Sequence, residues 1–181
     1  MSARLSFTGV FGICAALLGF GYFLQYARGL EPCPMCMMQR LCFIATAALA
    51  LVAALHGPRR WARRVYGGAV ALFAGTGGAI AIRQIWLQHL PPDRVPECGP
   101  GWNYMIDAYP LAEVVRQALR GTGDCAEIAW TFLSLSIPEW SLGWFALIAL
   151  VGLREVFRRS ADSHAGACGA ASIPAGGSAS L

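Results

Sequence analysis

Four long apolar runs decide what this chain can become. Phe7 to Tyr26, Leu41 to Leu55 and Val65 to Ile82 carry no charged residue, and Trp140 to Phe157 contains only the adjacent Arg154 and Glu155 near its end. A hydrocarbon core of about 30 Å needs about 20 helical residues, because in lipid every backbone N–H and C=O must be satisfied within the segment. The first, third and fourth runs meet that length. The second reaches it by starting near Pro34, which puts Gln39 and Arg40 at or just below the membrane surface. With 56% hydrophobic and 13% charged residues, the chain lies far from a water-soluble globule, in which about a quarter of residues are charged. The expected architecture is an all-α membrane protein: a four-transmembrane-helix bundle over residues 1–159, with spans at about 7–26, 35–55, 65–82 and 140–157.

The arginines set the expected orientation. All 14 basic residues are arginine, and they are too dispersed between apolar runs to form a nucleic-acid surface. Arg4, Arg59, Arg60, Arg63, Arg64, Arg154, Arg158 and Arg159 fall on one side of the four spans. Short arginine-rich loops are retained in the cytoplasm, so both termini are expected there. The opposite side receives a short loop at about 27–34 and a long loop at about 83–139, the latter with four arginines against seven acids. The first apolar run exceeds a signal-peptide core and ends without a small-residue cleavage site, so the first helix is expected to be retained. The Ala-, Gly- and Ser-rich stretch 160–181 reads as a disordered cytoplasmic tail.

Within the long outer loop, Leu111, Val114, Val115, Ala118 and Leu119 recur at helical spacing behind Pro110. Two placements fit: a helix packed on the loop's own residues, or an interfacial helix lying flat on the bilayer. The scarcity of other apolar loop sequence favours the second.

The orientation sorts the seven cysteines. Cys33, Cys36, Cys98 and Cys125 fall outside, Cys14 and Cys42 lie in apolar spans as small hydrophobes, and Cys168 sits in the tail. Four outer thiols can pair in three ways. A zinc site is disfavoured, since structural zinc takes two closely spaced pairs and Cys98 and Cys125 stand far apart; no metal is expected. A bridge across Cys33-Pro34-Met35-Cys36 would stabilise by only about 2 kcal/mol, against about 3.6 kcal/mol for a loop from Cys98 to Cys125. The short bridge is a weak staple but a useful reagent. At the start of the second helix, free backbone N–H groups and the helix dipole favour negative charge on Cys36, and a good leaving thiolate makes its disulfide oxidising. Arg40, one turn after Cys36, shares its face. It either snorkels to the headgroups or holds a thiolate and a developing quinone oxyanion.

This arrangement resembles the DsbB family, the bacterial inner-membrane proteins of disulfide bond formation. The likeness rests on four spans, a Cys-x-x-Cys opening the second with Arg40 four residues on, and Cys98 and Cys125 in the second outer loop. It extends to the wording of Gly123-Asp124-Cys125-Ala126-Glu127, Trp130-Thr131-Phe132-Leu133, Ile137-Pro138-Glu139-Trp140 and Leu142-Gly143. The resemblance implies a quinone-dependent protein-disulfide oxidoreductase of the inner membrane, with its active cysteines in the periplasm. Its partners would be a periplasmic DsbA-like thiol oxidase and the membrane quinone pool, with ubiquinone as acceptor or menaquinone without oxygen. It also implies that the partner attacks a Cys98–Cys125 disulfide, that Cys125 then engages Cys33, and that Cys36 faces the quinone with Arg40 beside it. His89, in Leu87-Gln88-His89, falls where family members place a histidine near the quinone. Trp130 and Trp140 read as headgroup-belt aromatics in preference to quinone contacts.

Two other functions fit less well. Quinone-linked enzymes of the vitamin K epoxide reductase type carry their Cys-x-x-Cys on the last helix, not the second. A non-enzymatic four-span scaffold with two structural disulfides would leave Cys33 and Cys36 resistant to mild reductant and make replacement of Arg40 silent.

Overall fold

The computed structural model describes residues 3–97, 99, 101–128 and 130–158. Four long helices, α1 (Ala3–Arg28), α2 (Pro34–His56), α3 (Arg60–Gln88) and α7 (Ile137–Phe157), are each long and apolar enough to cross a membrane. The chain is an all-α membrane protein. The helices cover the four apolar runs and extend past them; α3 begins at Arg60 and runs beyond Arg83, arginines whose long stems let a helix continue into the headgroup layer.

Local chemistry fixes the ends of α2. Pro34 stands at its first turn, where its missing N–H costs nothing, and the Cys33 sulfur accepts a hydrogen bond from the Cys36 backbone N–H at 3.4 Å. Gly57 closes the helix in the left-handed conformation, φ 59°, with its N–H on the Ala53 carbonyl.

The bundle is held by close approach of small residues and by a few large rings. Gly67 on α3 faces Gly152 on α7 with backbone against backbone. The Phe145 ring lies over Gly77 and stacks on Phe43 of α2 at 3.9 Å between centroids. Cys14 and Cys42 are buried among Phe7, Val10, Ala50 and Val70 and pack as small apolar side chains. Phe23, Leu51, Leu72 and Leu150 point outward, where a bilayer meets them. Lipid is as apolar as these side chains, so packing and interhelical hydrogen bonds, not removal of water, bring the helices together.

At the end of the bundle opposite Cys33, Glu155 of α7 is fully buried. Its Oε1 accepts from Ser6 of α1 at 2.9 Å and faces Arg158 at 3.5 Å, while its Oε2 faces the Arg63 Nε of α3 at 3.9 Å. Three helices are thereby tied at one carboxylate.

The segment between α3 and α7 carries a 3-10 turn at Pro92–Arg94, three short helices and a hairpin. The helices are α4 (Trp102–Ala108), α5 (Leu111–Arg120) and α6 (Gly123–Ala126); the hairpin pairs β1 (Thr131–Phe132) with β2 (Leu135–Ser136). Its turn residues Leu133 and Ser134 both have positive φ, 53° and 64°, a conformation that favours glycine or asparagine and is strained for leucine. Helix α5 divides the apolar stripe read from the sequence. Val114 and Ala118 are buried inward, while Leu111, Val115 and Leu119 remain exposed, spaced four apart as contact with a lipid surface requires. Arg83 closes its far end by donating to the carbonyls of Leu119 and Arg120.

Candidate active site at the thiol end of the bundle

Three cysteines from two distant parts of the chain converge where α2 begins. Cys33 and Cys36 are brought together by the first turn of α2, with their sulfurs 3.2 Å apart. Cys125, on α6, is fully buried against the same corner, and its sulfur lies near enough to that of Cys33 for each to shift the other's ionisation. Cys33 thus stands between the other two. The neighbouring Cys33 thiol, reinforced by the backbone at Thr122 and Met35, lowers Cys125 from the ordinary 9.0 to about 6. Cys33, buried beside the Cys125 and Cys36 sulfurs, is held above the ordinary thiol range by them and by burial. All three are free thiols in the structure.

Cys98 lies outside the described residues, as do Arg159 and the whole tail 160–181 with Cys168. Glu97 and Gly99 are described: the Glu97 carbonyl accepts from the Gly123 N–H at 3.2 Å, and Gly99 packs on Thr122, so both lie against the start of α6.

Beside Cys36 opens a cavity of about 580 Å³. Its walls are mainly apolar, among them Leu17, Leu24 and Phe43, and its polar groups include Arg40, Gln39, Gln84 and Gln88. Arg40 also lines it, and its guanidinium is held mainly to α1, with a further contact to Met37 Sδ on its own helix at 3.9 Å. Nη1 reaches Gln25 Oε1 at 2.5 Å, Nη2 reaches the Gly21 carbonyl at 3.0 Å, and the guanidinium lies 5.0 Å from the centre of the Tyr22 ring. That clamp goes beyond either sequence-based role, since it also joins α1 to α2.

Trp130 and Trp140, read from the sequence as headgroup-belt aromatics, both line the cavity. Phe132 of the hairpin links the two: Trp140, on α7, donates to its carbonyl at 3.1 Å, Trp130 stacks on its ring, and Phe20 meets Trp130 edge-on. His89 caps the end of α3, exposed, with its Nδ1 2.8 Å from the Ile85 carbonyl, and does not line the cavity. The neighbouring Gln88 does, held by the Ser136 hydroxyl at 3.1 Å.

Gln84 belongs to no motif read above, although an amide on a membrane helix is itself a signal. It is buried at 3% exposure with its Nε2 3.4 Å from Cys33 Sγ and 3.3 Å from Cys36 Sγ.

A family model described as "Disulfide bond formation protein DsbB" matches residues 3–154. The chain belongs to the DsbB family. It is 48% identical over 159 residues to disulfide bond formation protein B of Marinobacter nauticus, covering 88% of this chain and 95% of the relative. Against the protein of that name from Azoarcus it is 52% identical over 156 residues, 86% of this chain and 93% of the relative. As a DsbB-family member with four membrane-capable helices, it is a multi-pass inner-membrane protein acting in disulfide bond formation. The DsbB match takes in the thiol corner, the cavity and all but the last turn of α7.

Proposed function

We propose that the chain takes electrons from a reduced periplasmic DsbA-like thiol oxidase and passes them to membrane quinone, ubiquinone first and menaquinone as the alternative. The observation that carries this reading is the position of Cys33, buried in one cluster with Cys125 and 3.2 Å from Cys36, with the apolar cavity beside Cys36. The cavity fits such an acceptor: it has apolar walls for a ring and chain, and Arg40 and Gln88 supply polar groups at its edge. A bound quinone supplies a sink for two electrons and two protons.

The protein's own residues order the exchange. The partner's thiolate attacks Cys98 of a Cys98–Cys125 disulfide, and the electron pair of the broken bond leaves on Cys125. Cys125 attacks Cys33 of a Cys33–Cys36 disulfide, and the pair leaves on Cys36, at the cavity wall. The partner's second thiol resolves the mixed disulfide and frees Cys98, which attacks Cys125 and releases Cys33. Cys33 and Cys36 then surrender two electrons and two protons and return to the disulfide. Arg40, fixed to α1, offers a stationary positive charge beside the sulfur that bears the negative one.

The test is turnover of purified full-length protein with a reduced DsbA-like partner and ubiquinone. Cys36→Ser is expected to abolish turnover while leaving quinone binding intact; undiminished turnover removes the reading.

A further inference from the structure

Gln84 and Gln39 are two amides buried inside a membrane bundle, at 3% and 4% exposure. Burying an amide is costly unless its hydrogen bonds are made, so each polar atom should have a partner. Those of Gln84 do. Its Oε1 accepts from Gln39 Nε2 at 2.8 Å, and its Nε2, which carries two hydrogens, faces Cys33 Sγ at 3.4 Å and Cys36 Sγ at 3.3 Å. Cys36 Sγ also lies 3.7 Å from Oε1, so as a thiol it has an acceptor on the same amide. Arg40, the nearby cation, donates to Gln25 and Gly21 of α1 and to Met37 instead.

We propose that Gln84 is a catalytic residue of the thiol chemistry, donating to the negative charge that appears on Cys36, and that Gln39 is the positioning residue holding the amide nitrogen toward the sulfurs. When that charge appears rests on the reading above: Cys125 bonds to Cys33, the Cys33–Cys36 bond breaks, and its electron pair stays on Cys36. At that moment no proton is consumed, and the sulfur faces an apolar cavity where an unsolvated anion is costly. A neutral donor lowers this cost without adding a permanent charge to the bundle interior. Stabilising the leaving thiolate also makes the Cys33–Cys36 disulfide a stronger oxidant. Once Cys36 regains a proton, the same amide accepts from it through Oε1.

The test uses the reduced full-length protein carrying Cys33→Ser, in which alkylation of Cys36 by iodoacetamide is followed by mass spectrometry across a pH series. The reaction needs neither quinone nor partner and reports the thiolate. Adding Gln84→Leu is expected to slow alkylation at neutral pH about tenfold, the effect of one hydrogen bond to an ionised group, and to displace the rate profile toward alkaline pH. Gln84→Glu, nearly the same shape, is expected to slow it further, because a carboxylate repels the charge. Gln39→Leu is expected to act in the same direction but less, and it carries the test if Gln84→Leu does not accumulate. Profiles unchanged in the Gln84 and Gln39 variants overturn the proposal and leave the quinone reading untouched. Shifted profiles in a protein that fails to turn over quinone would sustain Gln84's role and remove the acceptor instead.

Discussion

A β-carbon added to Gly152 on α7 would stand 2.7 Å from the carbonyl oxygen of Gly67 on α3, and one added to Gly67 would stand 2.8 Å from the carbonyl oxygen of Gly152. The obstruction is backbone on both sides, so no side chain can move to relieve it. The crossing sits beside Glu155, toward the end of the bundle away from the cavity walls that Gln84, Gln88, Trp140 and Trp144 supply. Gly152→Ala is expected to push the helices apart at a cost of about 1–3 kcal/mol, read as a lower thermal midpoint in detergent. Gly75→Ala, which meets nothing within 4 Å, serves as the control. Equal midpoints for the two variants would refute the crossing as a determinant of stability.

Glu155 makes a different kind of joint at the other end. Its carboxylate is buried with Arg63, whose side chain is 12% exposed, and removing it leaves that charge with the Arg158 carbonyl but no counter-ion. Glu155→Ala is expected to cost about 3–5 kcal/mol, and Glu155→Gln less, since the amide can still accept from Ser6. Denaturation in detergent checks the order; a Glu155→Ala protein as stable as the unaltered chain would contradict it.

The Cys33–Cys125 contact predicts a pH dependence in the reduced protein. With Cys125 lowered from 9.0 to about 6, its ionisation adds stability to the docked α6 as pH rises between those values. That contribution is complete above pH 9 and disappears as pH falls through about 6. Ultraviolet titration of the reduced protein should show a thiolate forming near pH 6 that Cys125→Ser abolishes and Cys33→Ala returns toward ordinary thiol values. Absence of any thiolate signal until the alkaline range would refute this pairing.

Arg40→Ala should weaken quinone use, seen as an apparent KM raised roughly tenfold, the scale of one lost charge-assisted contact. Gln25→Ala, which frees the guanidinium from its hold on α1, is expected to raise it less. If neither constant moves, Arg40 serves only to join α1 to α2.

Much of this molecule is written locally. Whether a segment crosses a bilayer depends on its own length and apolarity, because a helix satisfies its backbone without help from neighbours, so four spans were legible. The Cys33–Cys36 turn was legible for the same reason: Pro34 and the helix start are contiguous with the sulfurs they control. Partners across helices were not, since they depend on how each helix is rotated about its axis. Gln84 meets Cys36 from 48 residues away, Arg40 turns toward α1, and Trp130, stacked on Phe132, lines the cavity. Those rotations follow from where small residues such as Gly67 and Gly152 let backbones touch, and a one-dimensional pattern of apolar residues does not encode that choice.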